Sequence, residues 1–61
     1  MPKVGEKFYW LDNDNVIRES VCYEVVEKPG YATSYFNTPK GEQFRTFVTE
    51  YDILDPETKK V

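Results

Sequence analysis

Histidine is missing from this 61-residue chain, and cysteine and tryptophan occur once each. No apolar run approaches the roughly 18 residues that span a bilayer as a helix. Each shortage closes off a class of protein. One cysteine cannot form an intramolecular disulfide, which sets aside the stapled secreted mini-proteins and fits a reducing compartment. With no histidine to add to that cysteine, a zinc site cannot be assembled from the usual ligands. Acid–base and nucleophilic catalysis lose their commonest base, and neither a Gly-Lys-Ser/Thr phosphate loop nor a nucleophile elbow occurs. Carboxylates are plentiful, but a hydrolase needs two held in a cleft with separated pKa values. A chain this short rarely builds such a cleft. The expectation is a protein that is not an enzyme, with no cofactor and no metal.

Charge of one sign is also scarce. Eight basic and eleven acidic residues leave a net charge of −3, without the basic excess of a dedicated DNA binder or the dense negative charge of a DNA mimic. Met1-Pro2-Lys3 leads into no signal-peptide core, so a soluble cytoplasmic protein is expected.

What the chain does have is aromatic side chains, 16% of its residues. Sixty-one residues make a single domain near the lower size limit for folding without a staple. An aromatic side chain burying roughly 150–250 Å² lets few residues do much of the packing.

The longest β-like stretch runs from Val16 to Val26. Alternation over it predicts one strand with Ile17, Val21, Tyr23 and Val25 inward and Arg18, Ser20, Cys22 and Glu24 outward. The Arg18-Glu19-Ser20 interruption predicts a bend near Glu19, and Cys22 is expected as an outward, inert thiol. Before it, residues 6–11 read as a first strand with Phe8 and Trp10 inward beside Val4, and Tyr9 outward. Asp12-Asn13-Asp14-Asn15 starts like a calcium loop, but Val16, Ile17 and Tyr23 stand where Asp/Asn, Gly and Glu are required. It reads as a turn.

Pro29-Gly30 suits the centre of a type II turn. Residues 31–36 form an expected third strand, 37–41 a turn, and 43–49 a fourth strand with Phe44, Thr46 and Val48 opposing Arg45 and Phe47. Residues 50–52 read as a tight 3₁₀ turn before a short strand at Ile53-Leu54. Asp55-Pro56 has the grammar of a helix start, and a frayed tail is expected over 55–61.

Five strands, the second long and bent and the last short after a 3₁₀ turn, resemble the SH3-like small barrel of the SH3, Tudor and KOW modules, over about residues 4–54. The resemblance implies an all-β, five-stranded barrel. The segments Lys3–Trp10, Val16–Val21 and Phe47–Leu54 also resemble short open reading frames of bacteriophages and their bacterial hosts. An Ala-Leu-Tyr-Asp-Tyr-like run and a Trp-Trp pair, which mark peptide-binding SH3 domains, are both missing. No binding residue is carried over.

Tyr9, Tyr31, Tyr35 and Tyr51, with Phe36 or Phe47, are more aromatics than one small core needs. Tyr9, Tyr31, Tyr35, Phe47 and Tyr51 are therefore the candidate partner-binding residues; the competing reading is half-buried sheet aromatics. Lys7, Arg18, Lys28, Lys40 and Arg45 interleave with aromatics as a nucleic-acid surface would, but Glu6, Glu19, Glu27 and Glu42 largely cancel them. The expected function is a protein-interaction module, phage-encoded and acting on a larger host protein in the host cytoplasm. The alternatives are a weak nucleic-acid-binding accessory barrel, or a small structural subunit whose strand edge pairs with another chain or with itself; the chain is expected as a monomer or a weak homo-oligomer.

Overall fold

A computed structural model describes residues 1–58 and 60. Over these the chain is all-β and contains no helix. Six strands are formed: β1 (Lys7–Leu11), β2 (Ile17–Val21), β3 (Glu24–Val26), β4 (Ser34–Phe36), β5 (Phe47–Thr49) and β6 (Ile53–Leu54). They make two three-stranded antiparallel sheets, ordered β2-β1-β6 and β3-β4-β5. No strand pairing closes the two sheets into a barrel among the described residues.

Six strands replace the expected five because the stretch from Val16 to Val26 is divided. The break lies at Cys22-Tyr23, not at Glu19. Cys22 donates its N–H to the Glu6 carbonyl at 2.8 Å and accepts from the Gly5 N–H at 2.7 Å, which ties it to the first sheet's side. Tyr23 donates to the Phe36 carbonyl at 2.9 Å, in the second sheet. One peptide bond thus hands the chain from one sheet to the other.

The break also changes which side faces in. Residues directly opposite in an antiparallel pair share a face, and Phe8 lies opposite Ser20 while Trp10 lies opposite Arg18. The side of β2 carrying Arg18 and Ser20 is therefore the side that Phe8 turns to the core. Cys22 continues that parity and is 0% exposed. Two residues, not one, then separate Cys22 from Val25, so the inward parity switches from even to odd. Val25, opposite the buried Tyr35, points inward as expected. Ile17 and Tyr23 are exposed, and Val21 is half-buried on the opposite face. The expected assignment was inverted along β2, Cys22 included.

Phe8, Cys22, Tyr35 and Val48 form the core, with Trp10, Val25 and Ile53 packed against it. Leu54 is buried outside this cluster, opposite Tyr9 in the β1–β6 pair. Val4 is exposed, because the Glu6 N–H bonds the Lys3 carbonyl at 2.9 Å and closes a turn that swings Val4 out of β1.

The turns follow local chemistry. Asp12 Oδ1 accepts from the N–H groups of Asp14 and Val16, both at 2.9 Å, and its Oδ2 from Arg18 Nε at 2.7 Å. Tyr31 N–H bonds the Lys28 carbonyl at 3.1 Å across Pro29-Gly30, where Gly30 takes φ +81°, the positive value that the third position of a type II turn requires. The Asp52 N–H bonds the Thr49 carbonyl at 3.0 Å, giving the tight turn before β6. Asp55 Oδ1 accepts from Glu57 and Thr58 as a helix cap would, but only a turn follows. Of the expected frayed tail, residues 59 and 61 lie outside the described residues.

The expected fourth strand shortens to Phe47–Thr49. Thr46 N–H donates to Thr38 Oγ1 at 2.9 Å instead of continuing the ladder. Asn37 N–H donates to the Thr46 carbonyl at 3.2 Å, and Thr46 Oγ1 bonds Asn37 Oδ1. This clasp ends the sheet and opens a loop. Phe44 rides on the loop and is 79% exposed, although it shares the parity of the buried Val48 in the expected strand.

Candidate functional site

With Val25, Tyr35 and Val48 directed to the core, alternation sends Glu24 and Val26, Ser34 and Phe36, and Phe47 and Thr49 to the outer face of the second sheet. Two of these outward residues are aromatic. Phe36 and Phe47 are directly paired, their ring centroids 5.7 Å apart and tilted by 53°, a separation within the favourable range for aromatic pairs.

Arg45 braces this pair. Its guanidinium carbon lies 4.0 Å from the Phe36 ring centroid, a cation–π distance, while Nη2 donates to Glu24 Oε1. The paired cation, largely covered, covers one side of Phe36 in turn.

From the other side comes the Pro29-Gly30 turn. It brings Lys28, Tyr31 and Ala32 alongside Val26, Phe36 and Phe47 around an open depression of about 460 Å³, in which Lys28 is the one charged side chain among the described residues. Tyr31 is 77% exposed and Phe47 55%. An exposed aromatic cluster of this kind on a sheet face is the chemistry of a docking surface.

The five candidate aromatics are thus dispersed. Tyr31 and Phe47 meet in this depression. Tyr9 lines a separate one of about 290 Å³ with Met1, Pro2, Leu54 and Pro56. Tyr51 is exposed on the turn before β6 and lines neither. Tyr35 is 4% exposed and packs in the core, where burial pushes its hydroxyl pKa up, helped by the charges of Glu50 and Glu27. It offers no surface to a partner. Sequence reasoning missed Val26 and Ala32 at this site, and Phe44 beyond it. Only the shortened β5 reveals Phe44 as exposed.

The Cys22 thiol is enclosed, and burial, with a smaller contribution from Glu6, pushes its pKa up. Among the described residues no three His, Cys, Asp or Glu side chains are grouped to hold a metal ion, and no helix is long and apolar enough to cross a membrane. Comparison of the chain with protein-family models, with curated proteins and with solved structures returns no match.

Proposed function

We propose that this chain is a non-enzymatic protein-interaction module of SH3-like build, docking a larger protein in the cytoplasm through the outer face of its second sheet. The strand order supports the SH3-like reading: β6-β1-β2 and β3-β4-β5 are the two sheets of such a module once β2 and β3 are taken as halves of one kinked strand. The single free cysteine fits a reducing compartment. The observation that carries the functional reading is the convergence of Tyr31 and Phe47 on one depression beside a braced Phe36. Rigid aromatics around a concavity are the side chains on which binding energy concentrates.

Nucleic acid is the weaker reading. Lys7 sits 3.5 Å from Glu19, Arg18 2.7 Å from Asp12, and Arg45 is bonded to Glu24, so three of the five interleaved cations are already partnered.

The test is capture of a partner from a lysate of the cells that express the gene, with the wild type, a Tyr31→Ala/Phe47→Ala double variant and a Tyr51→Ala control. The expected result is a partner lost with the double variant and kept with Tyr51→Ala. No partner, or one held equally by all three proteins, overturns the proposal.

A further inference from the structure

The surface carries a second exposed aromatic that the docking face does not absorb. Phe44 stands on the loop between β4 and β5, and the residues after it are held in place. Arg45 is bonded to Glu24 and stacked on Phe36, and Thr46 is clasped to Asn37 and Thr38. The Glu42 N–H bonds the Pro39 carbonyl at 3.2 Å and closes a turn just before it. A large apolar side chain presented on a loop pinned on both sides has little ordering cost left to meet on binding. The loop has the character of a ligand.

Its chemistry matches the depression described above. Glu42 and Phe44 are both exposed and lie two residues apart, so the one loop carries a carboxylate and an aromatic ring. The depression offers Val26, Tyr31, Phe36 and Phe47 to a ring and Lys28 to a carboxylate. Among the described residues neither Lys28 nor Glu42 forms an ion pair within the chain. We propose that the occupant of the depression is a second copy of this chain, whose Phe44 seats among Tyr31, Phe36 and Phe47 while its Glu42 meets Lys28. The inference rests on reading that face as a docking surface. Reciprocal seating gives a closed two-fold dimer, in which each copy lends a loop and receives one. Such a dimer occludes the face offered to any other protein.

The experiment is sedimentation of the full chain over a micromolar-to-millimolar series, with the wild type, Phe44→Ala, Lys28→Glu and Glu42→Lys. Phe44, Lys28 and Glu42 are exposed, so circular dichroism is expected to show the wild-type fold in each variant. The expected result is self-association of the wild type, weakened about tenfold or more in each single variant. Recovery is expected in two samples: the Lys28→Glu/Glu42→Lys double variant, where the charges are exchanged, and an equimolar mixture of Phe44→Ala with Lys28→Glu/Tyr31→Ala, where one intact loop meets one intact depression. A wild type that stays monomeric to millimolar concentration overturns the proposal, as does association that persists undiminished in Phe44→Ala and Lys28→Glu. Neither outcome touches the partner-docking reading, which stands or falls on whether a partner captured by the wild type is lost with the Tyr31→Ala/Phe47→Ala variant.

Discussion

Trp10 Nε1 donates to Ser20 Oγ at 2.9 Å, diagonally across the β1–β2 pair, and both side chains lie on the side of the first sheet that carries Phe8 and Cys22. A serine inward on a core-facing strand is explained by this contact, because the half-buried indole N–H needs an acceptor.

Removing that acceptor has a defined cost. Ser20→Ala leaves the indole N–H without its partner and is expected to destabilise the fold by about 1 kcal/mol. Urea unfolding followed by the single tryptophan's fluorescence measures it. Ser20→Thr, which keeps a hydroxyl, is expected to lose less.

The tyrosines separate by depth. Tyr35→Ala empties the centre of the core and is expected to cost about 3–5 kcal/mol, by analogy with large aromatic truncations. That is comparable with the whole stability of a domain this size, about 3–9 kcal/mol at 0.05–0.15 kcal/mol per residue. The variant is expected to be unfolded or nearly so by circular dichroism. Tyr51→Ala, at an exposed position, is expected to change stability by no more than about 0.5 kcal/mol.

Cys22 reports on opening of the core. Fully buried and with a raised pKa, it is expected to resist a thiol-reactive disulfide reagent in the native state and to react promptly once urea unfolds the chain. A native protein labelled at the rate of a free thiol would contradict its placement in the core.

Asp12 makes the β1–β2 turn sensitive to acid. The Arg18 hydrogen bond, followed by that of the Val16 amide, holds its carboxyl below the ordinary 3.8, with the Asp14 amide adding to the effect. A carboxyl whose pKa is lower folded than unfolded adds stability that is fully present above the unfolded value and is lost as pH falls through the folded one. Stability is therefore expected to decline as pH drops below about 4, near the unfolded carboxyl pKa. Asp12→Asn is expected to be less stable at pH 7 and to show a shallower acid slope. A carbon-detected NMR titration of the Asp12 carboxyl checks the direction directly.

Much of the outline was legible in the chain itself, for reasons that are local. Asp12-Asn15, Pro29-Gly30 and the 50–52 segment turn because their own side chains, ring constraint or i-to-i+3 hydrogen bond turn them. Phe8 inward, Val48 opposing Phe47, and the short pair at Ile53-Leu54 follow from alternation over a few residues. At the candidate site, Tyr31 and Phe47 were readable as surplus aromatics. Tyr35 was not distinguishable from them, since a β-strand tyrosine looks the same whichever face it occupies.

Composition and local pattern were enough for an all-β reading and for the places where the chain turns, and one cysteine with no histidine rules out an intramolecular disulfide and the usual zinc ligand sets. Tertiary structure alone decided the phase of the strands. Val16 to Val26 carries apolar residues at both parities, so alternation favours the odd set of Ile17, Val21, Tyr23 and Val25 without excluding the even one. The choice between them is made by pairing with β1, which places Ser20 opposite Phe8, and by the handover at Cys22-Tyr23, where one extra residue reverses the inward side. That reversal buries a cysteine and exposes Ile17. In the second sheet, the same face rule and the clasp at Thr46 leave Phe47 and Phe44 in the open, because the energy of a sheet face is set by what packs across it and not by the order of residues along one strand.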